Sequence, residues 1–246
     1  MLPARKGKRV MTRKVKGVLL RIGQTIREER ALTVLTEELG CVTVYAKVNK
    51  KIQYDQFYFG EWVLYETAGG NHLLNSFSLE EPFHELKEQI EHTFLASYFA
   101  QLVLHFCKGE RQELGVLMKL LLNGLYLLCK GRSPILVKAV FELKTMQLMG
   151  YCPTLASCGH EGRYFALEDG AILCDQYAMP TKSMPITATV AAAMTHILNQ
   201  PPAKAYGFSV PAEELSRLGR LTEAFTLYHL ELRASALEMW KTVYEG

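Results

Sequence analysis

The stretch that decides the fold runs from Phe141 to Tyr177 and reads FELKTMQLMGYCPTLASCGHEGRYFALEDGAILCDQY. Apolar residues at Phe141, Leu143, Met146, Leu148 and Met149 follow a helical pattern that stops at Gly150. A Pro-bearing turn comes next, then Cys158-Gly159-His160. A short hairpin-like insert, Tyr164 to Ile172, leads to Cys174. Two cysteine-centred corners, each beside a turn and joined by a hairpin, are the plan of zinc ribbons and knuckles. A full site carries a C-x-x-C pair at each corner, whereas positions 161 and 177 here are Glu and Tyr. The segment reads as a zinc-finger-like module with half its ligands.

A zinc ion there would draw on Cys152, Cys158, His160, Glu161 and Cys174. Cys-x-His is shorter than the usual two-to-four-residue ligand spacing. The competing reading is a hairpin held by packing, without a cofactor. Cys152 and Cys174 are then small apolar residues, and Tyr164, Phe165, Leu167 and Leu173 are buried.

Working outward, 246 residues suit one large domain or two to three small ones. A hydrophobic content of 49% with 22% charged residues is that of a soluble globular chain. No apolar run reaches the eighteen or so residues a membrane span needs. The richest run, Leu114 to Cys129, is interrupted by Lys119, Asn123 and Gly124. The basic N-terminus lacks the apolar segment of a secretory signal. Six scattered cysteines suit a reducing cytoplasm better than a disulfide scaffold.

The net charge of +3 is modest, but its distribution is uneven. Residues 1 to 21 carry Arg5, Lys6, Lys8, Arg9, Arg13, Lys14, Lys16 and Arg21 with no acidic residue. Such a segment is either an arm for phosphate backbones or a solvated tail. Met11 is an alternative start, which would leave residues 1–10 without a role.

Short β-runs follow: Val15 to Ile22, Ala31 to Thr36, Cys41 to Ala46, Phe57 to Glu66 and His72 to Phe77. That number of strands in so short a segment predicts a small barrel of the OB type over residues 1–79. A basic loop, Lys47 to Lys51, lies between two strands. Helical periodicity takes over at residues 80–150. Helices are predicted over Glu85 to Phe106, over Leu114 to Cys129 as the centre of a bundle, and over Pro134 to Met149. Ser133 and Pro134 are the cap and first position of the third. The insert occupies 151–180. Helices over Thr187 to Leu198 and Ala212 to Tyr244, the latter broken near Gly219, complete the helical domain at 181–246. The fold class is α+β: an N-terminal OB-fold β-barrel, then an α-helical bundle with a zinc-finger-like hairpin insert.

Catalytic signatures are missing. There is no G-x-S-x-G, H-E-x-x-H, P-loop or Rossmann fingerprint, and the seven histidines are dispersed. The barrel segment interleaves Tyr45, Tyr54, Phe57, Tyr58, Phe59, Trp62 and Tyr65 with Lys47, Lys50 and Lys51. Single-strand binders combine stacking platforms with a cationic groove. Most of these rings are nevertheless expected to fill the barrel, since only one face of each strand looks outward.

Three blocks resemble the recombination mediator family RecO. They are Gly17-Val18-Leu19-Leu20-Arg21, then Leu32 to Gly40 (LTVLTEELG), and most specifically Phe141 through Cys158. Leu173-Cys174 and Tyr228-His229-Leu230 match later family signatures, so the resemblance spans nearly the whole chain in order. Departures are Glu161 and Tyr177 at the second and fourth zinc-ligand positions, and RIGQTIREER at Arg21 to Arg30 in place of a Gly-Glu-x-Asp pattern.

The resemblance implies a non-enzymatic DNA repair and homologous recombination mediator in the cytoplasm, associated with the nucleoid. It implies binding of single- and double-stranded DNA and annealing of complementary strands. It also implies partnership with RecR and single-stranded-DNA-binding protein in loading RecA. Expected DNA contacts are Arg13, Lys14, Lys16, Arg21, Lys47, Lys50 and Lys51. Zinc, if held, falls to Cys158 and Cys174 with His160 or Cys152. Lys108, Arg111, Lys119, Lys130 and Arg132 flank the apolar helices, where the acidic, apolar-ended tail of the single-strand-binding partner would dock. The alternatives are a zinc-dependent nucleic-acid-processing enzyme and a protein-interaction scaffold with weak DNA binding.

Overall fold

The computed structural model describes residues 11–26, 28–48, 53–67, 69–107, 113–157, 162–230 and 232–244. Residues 1–10 and the candidate contacts Lys50 and Lys51 lie outside them, as do Cys158, His160, Glu161, Lys108 and Arg111. The chain divides into two compact units. One holds the strands up to Phe83 together with the first turn of the second helix, and the other holds the rest of the helical region.

Five strands form a closed barrel: β1 (Met11–Ile26), β2 (Glu29–Thr36), β3 (Gly40–Lys47), β4 (Phe59–Glu66) and β5 (His72–Glu81), in the order β1-β2-β3-β5-β4. The fold is that of a small OB-like barrel, as the strand count predicts. β1 is longer than the Val15–Ile22 run suggests. Its first half pairs with β4, from Met11↔Glu66 to Val18↔Phe59, and its second half with β2, from Gly17↔Thr36 to Ile26↔Glu29. Register shifts after Leu19 and Ile22 bend it between its two partners. Such irregularities sharpen the twist a small barrel needs to close. The seam is the parallel contact of β3 with β5, at Val44↔His72 and Tyr45↔Leu73. Val15, Leu19, Leu32, Val34, Val44, Trp62 and Leu64 fill the interior. Each fully buried aliphatic side chain contributes about 1.5–3 kcal/mol.

The second unit contains a 3₁₀ turn (His84–Lys87), α1 (Ile90–Phe106), α2 (Leu114–Cys129) beyond its first turn, and α3 (Pro134–Leu148). A small sheet follows, of β6 (Tyr164–Ala166), β7 (Ile172–Leu173) and β8 (Ser183–Pro185) in the order β7-β6-β8. The chain closes with α4 (Ala188–Asn199), α5 (Ala212–His229) and α6 (Ser235–Tyr244). The helix predicted from Glu85 is thus broken before Ile90. Ser133 occupies the N-cap of α3, but its side chain makes no capping bond. Thr187 does cap α4, accepting from the Val190 amide at 3.2 Å. α3 ends as predicted: Gly150 adopts φ +90° and the Tyr151 amide donates back to the Met146 carbonyl at 2.9 Å.

Two helical expectations are corrected. The central helix is α3, not α2: every residue from Leu136 to Met146 is buried, whereas α2 leaves Val116 and Tyr126 exposed. Even the charged residues Lys138 and Glu142 of α3 sit inside, paired with each other. The last helical stretch also breaks at residues 230–234, not near Gly219. Gly219 lies within α5, where a Cβ would come 2.6 Å from Ile135 Cγ2 of α3. Here glycine serves close packing of two helices rather than a turn.

Its carbonyl has a second role. The Lys138 ammonium donates to Gly219 O at 3.1 Å and faces Glu142 at 3.1 Å and Glu223 at 2.9 Å. An ammonium has three protons, and each finds an acceptor. Glu142 also accepts from Tyr98 Oη at 2.9 Å and from Thr222 Oγ1 at 2.7 Å. Lys241 of α6 pairs with Glu223, and Trp240 presents its ring 5.8 Å from Lys138 Nζ. Burial pushes the Glu142 carboxyl above the usual range, with Lys138 opposing. Burial pushes Glu223 upward too, but its two lysines outweigh this and hold it below. A satisfied internal charge network therefore ties α1, α3, α5 and α6 together.

Candidate nucleic-acid interface

β1 carries four of the expected DNA contacts, and three of them are engaged. Arg13 Nε lies 3.2 Å from Glu66, Lys14 Nζ 2.8 Å from Glu61, and Lys16 Nζ 2.9 Å from Glu80. The hydrogen bond to Glu80 raises the Lys16 pKa above its ordinary value. Lys14 and Lys16 point out of the barrel, since Val15 between them is buried, whereas Arg13 shares the Val15 face near the strand end and is half-buried. Their carboxylates come from β4 and β5, strands that a linear reading of the basic segment does not place beside it. Lys16 faces Glu61 directly in register, so the outward alternation of β1 and β4 was the available signal.

Arg21 and Lys47 differ. Both are exposed, and neither forms an ion pair with a described residue. Lys47 ends β3, opposite Glu29 on β2. Arg21 follows the first register shift in β1.

The aromatic residues divide by face. Trp62 is fully buried and donates from Nε1 to the Gly17 carbonyl at 3.0 Å. Tyr54 stacks on it at 6.4 Å between centroids, and Phe77 packs at 4.2 Å. Burial raises the Tyr54 pKa. Phe57 is also buried. Tyr45 and Tyr65 remain exposed, as does Leu73. They line a cleft of about 420 Å³ that reaches inward to Tyr54 and Phe77 and has Lys47 and Glu29 at its rim.

In the insert, the amides of Tyr177 and Ala178 both donate to the Cys174 carbonyl at 3.1 Å, forming a tight turn. The fourth residue of that turn is an exposed tyrosine rather than a thiol. Cys152 is exposed, with Sγ 3.7 Å from the Pro153 carbonyl. No group of three metal-ligating side chains occurs among the described residues. The donor chemistry at the four positions, Cys158, Glu161, Cys174 and Tyr177, does not fit a thiolate zinc site.

Backbone bonds tie the segment after α3 to the hairpin. Thr154 N donates to Asp169 O at 3.1 Å, Leu155 N to Gly170 O at 2.9 Å, and Ile172 N to Ala156 O at 2.8 Å. Phe165 is buried edge-on against Phe225 of α5 at 5.5 Å. Tyr164, Leu167 and Leu173, expected to be buried, are only partly so; a sheet this small shields one face.

Among the cations of the helical unit, Arg132 donates to the carbonyls of Tyr206 at 3.3 Å and Phe208 at 3.2 Å. Lys130 sits over the Tyr126 ring at 5.4 Å. Lys119 is exposed on α2. No described helix is long and apolar enough to cross a membrane.

Residues 87–238 match the family model for the recombination protein O C-terminal region. The DNA repair protein RecO of Acetivibrio thermocellus is 24% identical over 244 residues, covering 94% of this chain and 96% of the relative. That of Caldicellulosiruptor bescii is 29% identical over 175 residues, 66% of this chain and 71% of its own. The Pelotomaculum thermopropionicum protein of the same name is 32% identical over 159 residues, 61% of each chain.

Proposed function

Because this chain belongs to the recombination protein O family, we propose that it mediates DNA repair and homologous recombination by binding DNA, without being an enzyme. It binds single- and double-stranded DNA and anneals complementary strands. Together with RecR and single-stranded-DNA-binding protein, it assists RecA loading in the cytoplasm, on the nucleoid. The carrying observation is the closed OB-like barrel, on which Arg21 and Lys47 are exposed and in no ion pair with a described residue, Lys47 lining a cleft with the exposed rings of Tyr45 and Tyr65. Cations that neutralise two strands at once lower the repulsion opposing annealing, and the counterions they displace favour binding. No zinc is needed for this role.

A salt-titrated binding assay with single-stranded and duplex oligonucleotides, run beside an annealing assay, tests this. Affinity should show little sequence preference and fall steeply with salt. A salt-insensitive affinity, or none at low salt, would refute it.

The scaffold reading gains one observation: Arg13, Lys14 and Lys16 each already face a carboxylate. It predicts binding of the acidic tail peptide of the single-strand-binding partner with little DNA affinity. For that peptide, Arg132, Lys130 and Lys119 are the expected cations that fall among the described residues, and fluorescence anisotropy with and without its last residue is the measurement. Equal binding of the two peptides would refute a notch for the terminal residue.

A further inference from the structure

We propose that the barrel cleft between Tyr45 and Tyr65 is a stacking site for an unpaired nucleobase. The inference rests on the DNA-binding reading above and adds to it what the site takes: a base splayed from a single strand.

The register places three outward side chains in a row across adjacent strands. Tyr45 on β3 pairs with Leu73 on β5, and Leu73 pairs with Tyr65 on β4. The buried Val44, Ala46 and Leu64 beside them fix which face they occupy. Tyr45 and Tyr65 are each 36% exposed and Leu73 is 37% exposed. Neighbouring strands lie about 4.8 Å apart, so the two tyrosines stand about two spacings from each other. Two ring contacts of about 3.5 Å require about 7 Å, so this gap admits one planar ring over the Leu73 side chain.

These tyrosines are not spent on the fold. Tyr54, Trp62 and Phe77 pack against one another, whereas neither Tyr45 nor Tyr65 meets another ring among the described residues. The cleft exists because β3 and β5 pair at two positions and then part, opening a path inward. Its volume, about 420 Å³, lies in the range of about 300–1,000 Å³ usual for small-molecule sites.

Charge selects the occupant. Lys47 stands two residues beyond Tyr45 on the same face of β3 and offers an ammonium to a flanking phosphate. Glu29, the register partner of Lys47 on β2, lies beside it at the cleft, so Lys47 is the one cation among the lining residues for a phosphate to meet. Stacking surfaces beside a cation are the combination single-strand binders use. A base inside a duplex is already stacked and cannot enter.

The test uses the full chain, a single-stranded oligonucleotide with one central 2-aminopurine, the same strand with abasic sites, and the corresponding duplex. For the wild type, 2-aminopurine fluorescence should be quenched on binding. Tyr45→Leu with Tyr65→Leu should weaken single-strand binding by about tenfold, within the range for removal of one base stack. Abasic-strand and duplex binding, and the salt dependence, should stay as in the wild type. Tyr45→Phe with Tyr65→Phe should restore affinity and quenching. Lys47→Ala should weaken all three ligands alike. Equal losses on normal and abasic strands would overturn the base site. So would no loss on either, which would leave the cleft to a protein partner. If the wild type binds no DNA, the function proposed above fails as well. Unchanged melting temperatures confirm that the variants are folded.

Discussion

Lys138 Nζ lies 3.1 Å from the Glu142 carboxylate one turn along α3, and both side chains are buried. Removing one partner of such a pair leaves the other charge stranded, which costs about 3–5 kcal/mol. Lys138→Met should therefore destabilise the protein by about that much in denaturant titration. Its penalty should also depend on pH. Burial already raises the Glu142 carboxyl, and losing Lys138 removes the main opposing charge. A group whose folded pKa lies above its unfolded value contributes stability below the unfolded pKa and loses it as pH rises through the folded one. The variant should thus be closer to the wild type near pH 5 than near pH 8. A pH-independent difference would contradict the assignment.

Gly219→Ala sets two effects against each other. Alanine favours a helix interior by about 1 kcal/mol over glycine. The new Cβ would meet Ile135 Cγ2 at 2.6 Å, and overpacking costs about 1–3 kcal/mol. The β-branched Ile135 has little freedom to turn away on its helix. We expect net destabilisation, and recovery when Ile135→Ala is added. Additive effects in the double-mutant cycle would show that the contact is not the cause.

On the barrel, a paired cation must give up its carboxylate before it can meet a phosphate. Lys14→Ala and Lys16→Ala should change DNA affinity less than Arg21→Ala or Lys47→Ala. Removing a cation that meets one phosphate should reduce the slope of log affinity against log salt by about 0.7 for single strands. Glu61→Gln with Glu80→Gln should strengthen binding by freeing both lysines. If the lysine variants at 14 and 16 have the larger effect, the β1 face carries the contact despite its carboxylates.

The strands were legible because Val, Ile, Leu and aromatic residues cluster between turn signals. What stayed hidden was register. Lys14 and Glu61 are 47 positions apart, and only the β1–β4 pairing makes them neighbours. α3 hid its place for a related reason: Lys138 and Glu142 can be buried only because Tyr98, Gly219, Thr222 and Glu223 arrive from other helices. The strand β8 is three residues long and carries no periodicity to detect. The cysteine module was legible as a hairpin, while the backbone bonds from 154–156 to 169–172 that tie the hairpin to the segment after α3 left no side-chain trace.

The insert should survive without metal. Purified protein should hold less than one equivalent of zinc by native mass spectrometry, and a chelator should leave the melting temperature unchanged. Phe165→Ala should instead cost about 3–5 kcal/mol, as large aromatic truncations in a core do. One tightly held equivalent of zinc would reverse this expectation.

β3 and β5 touch at two residue pairs, whereas β2 and β3 share eight. A barrel closed so unevenly does not open evenly. Small excursions of a native protein concentrate where few backbone bonds must break. Amide hydrogens that bond across the β3–β5 seam, at Val44–Tyr45 and His72–Leu73, should therefore exchange with solvent well before those of the β2–β3 ladder. Fluctuation at this seam would widen and narrow the gap beside Tyr45 without unfolding the barrel, giving an otherwise rigid domain one compliant edge.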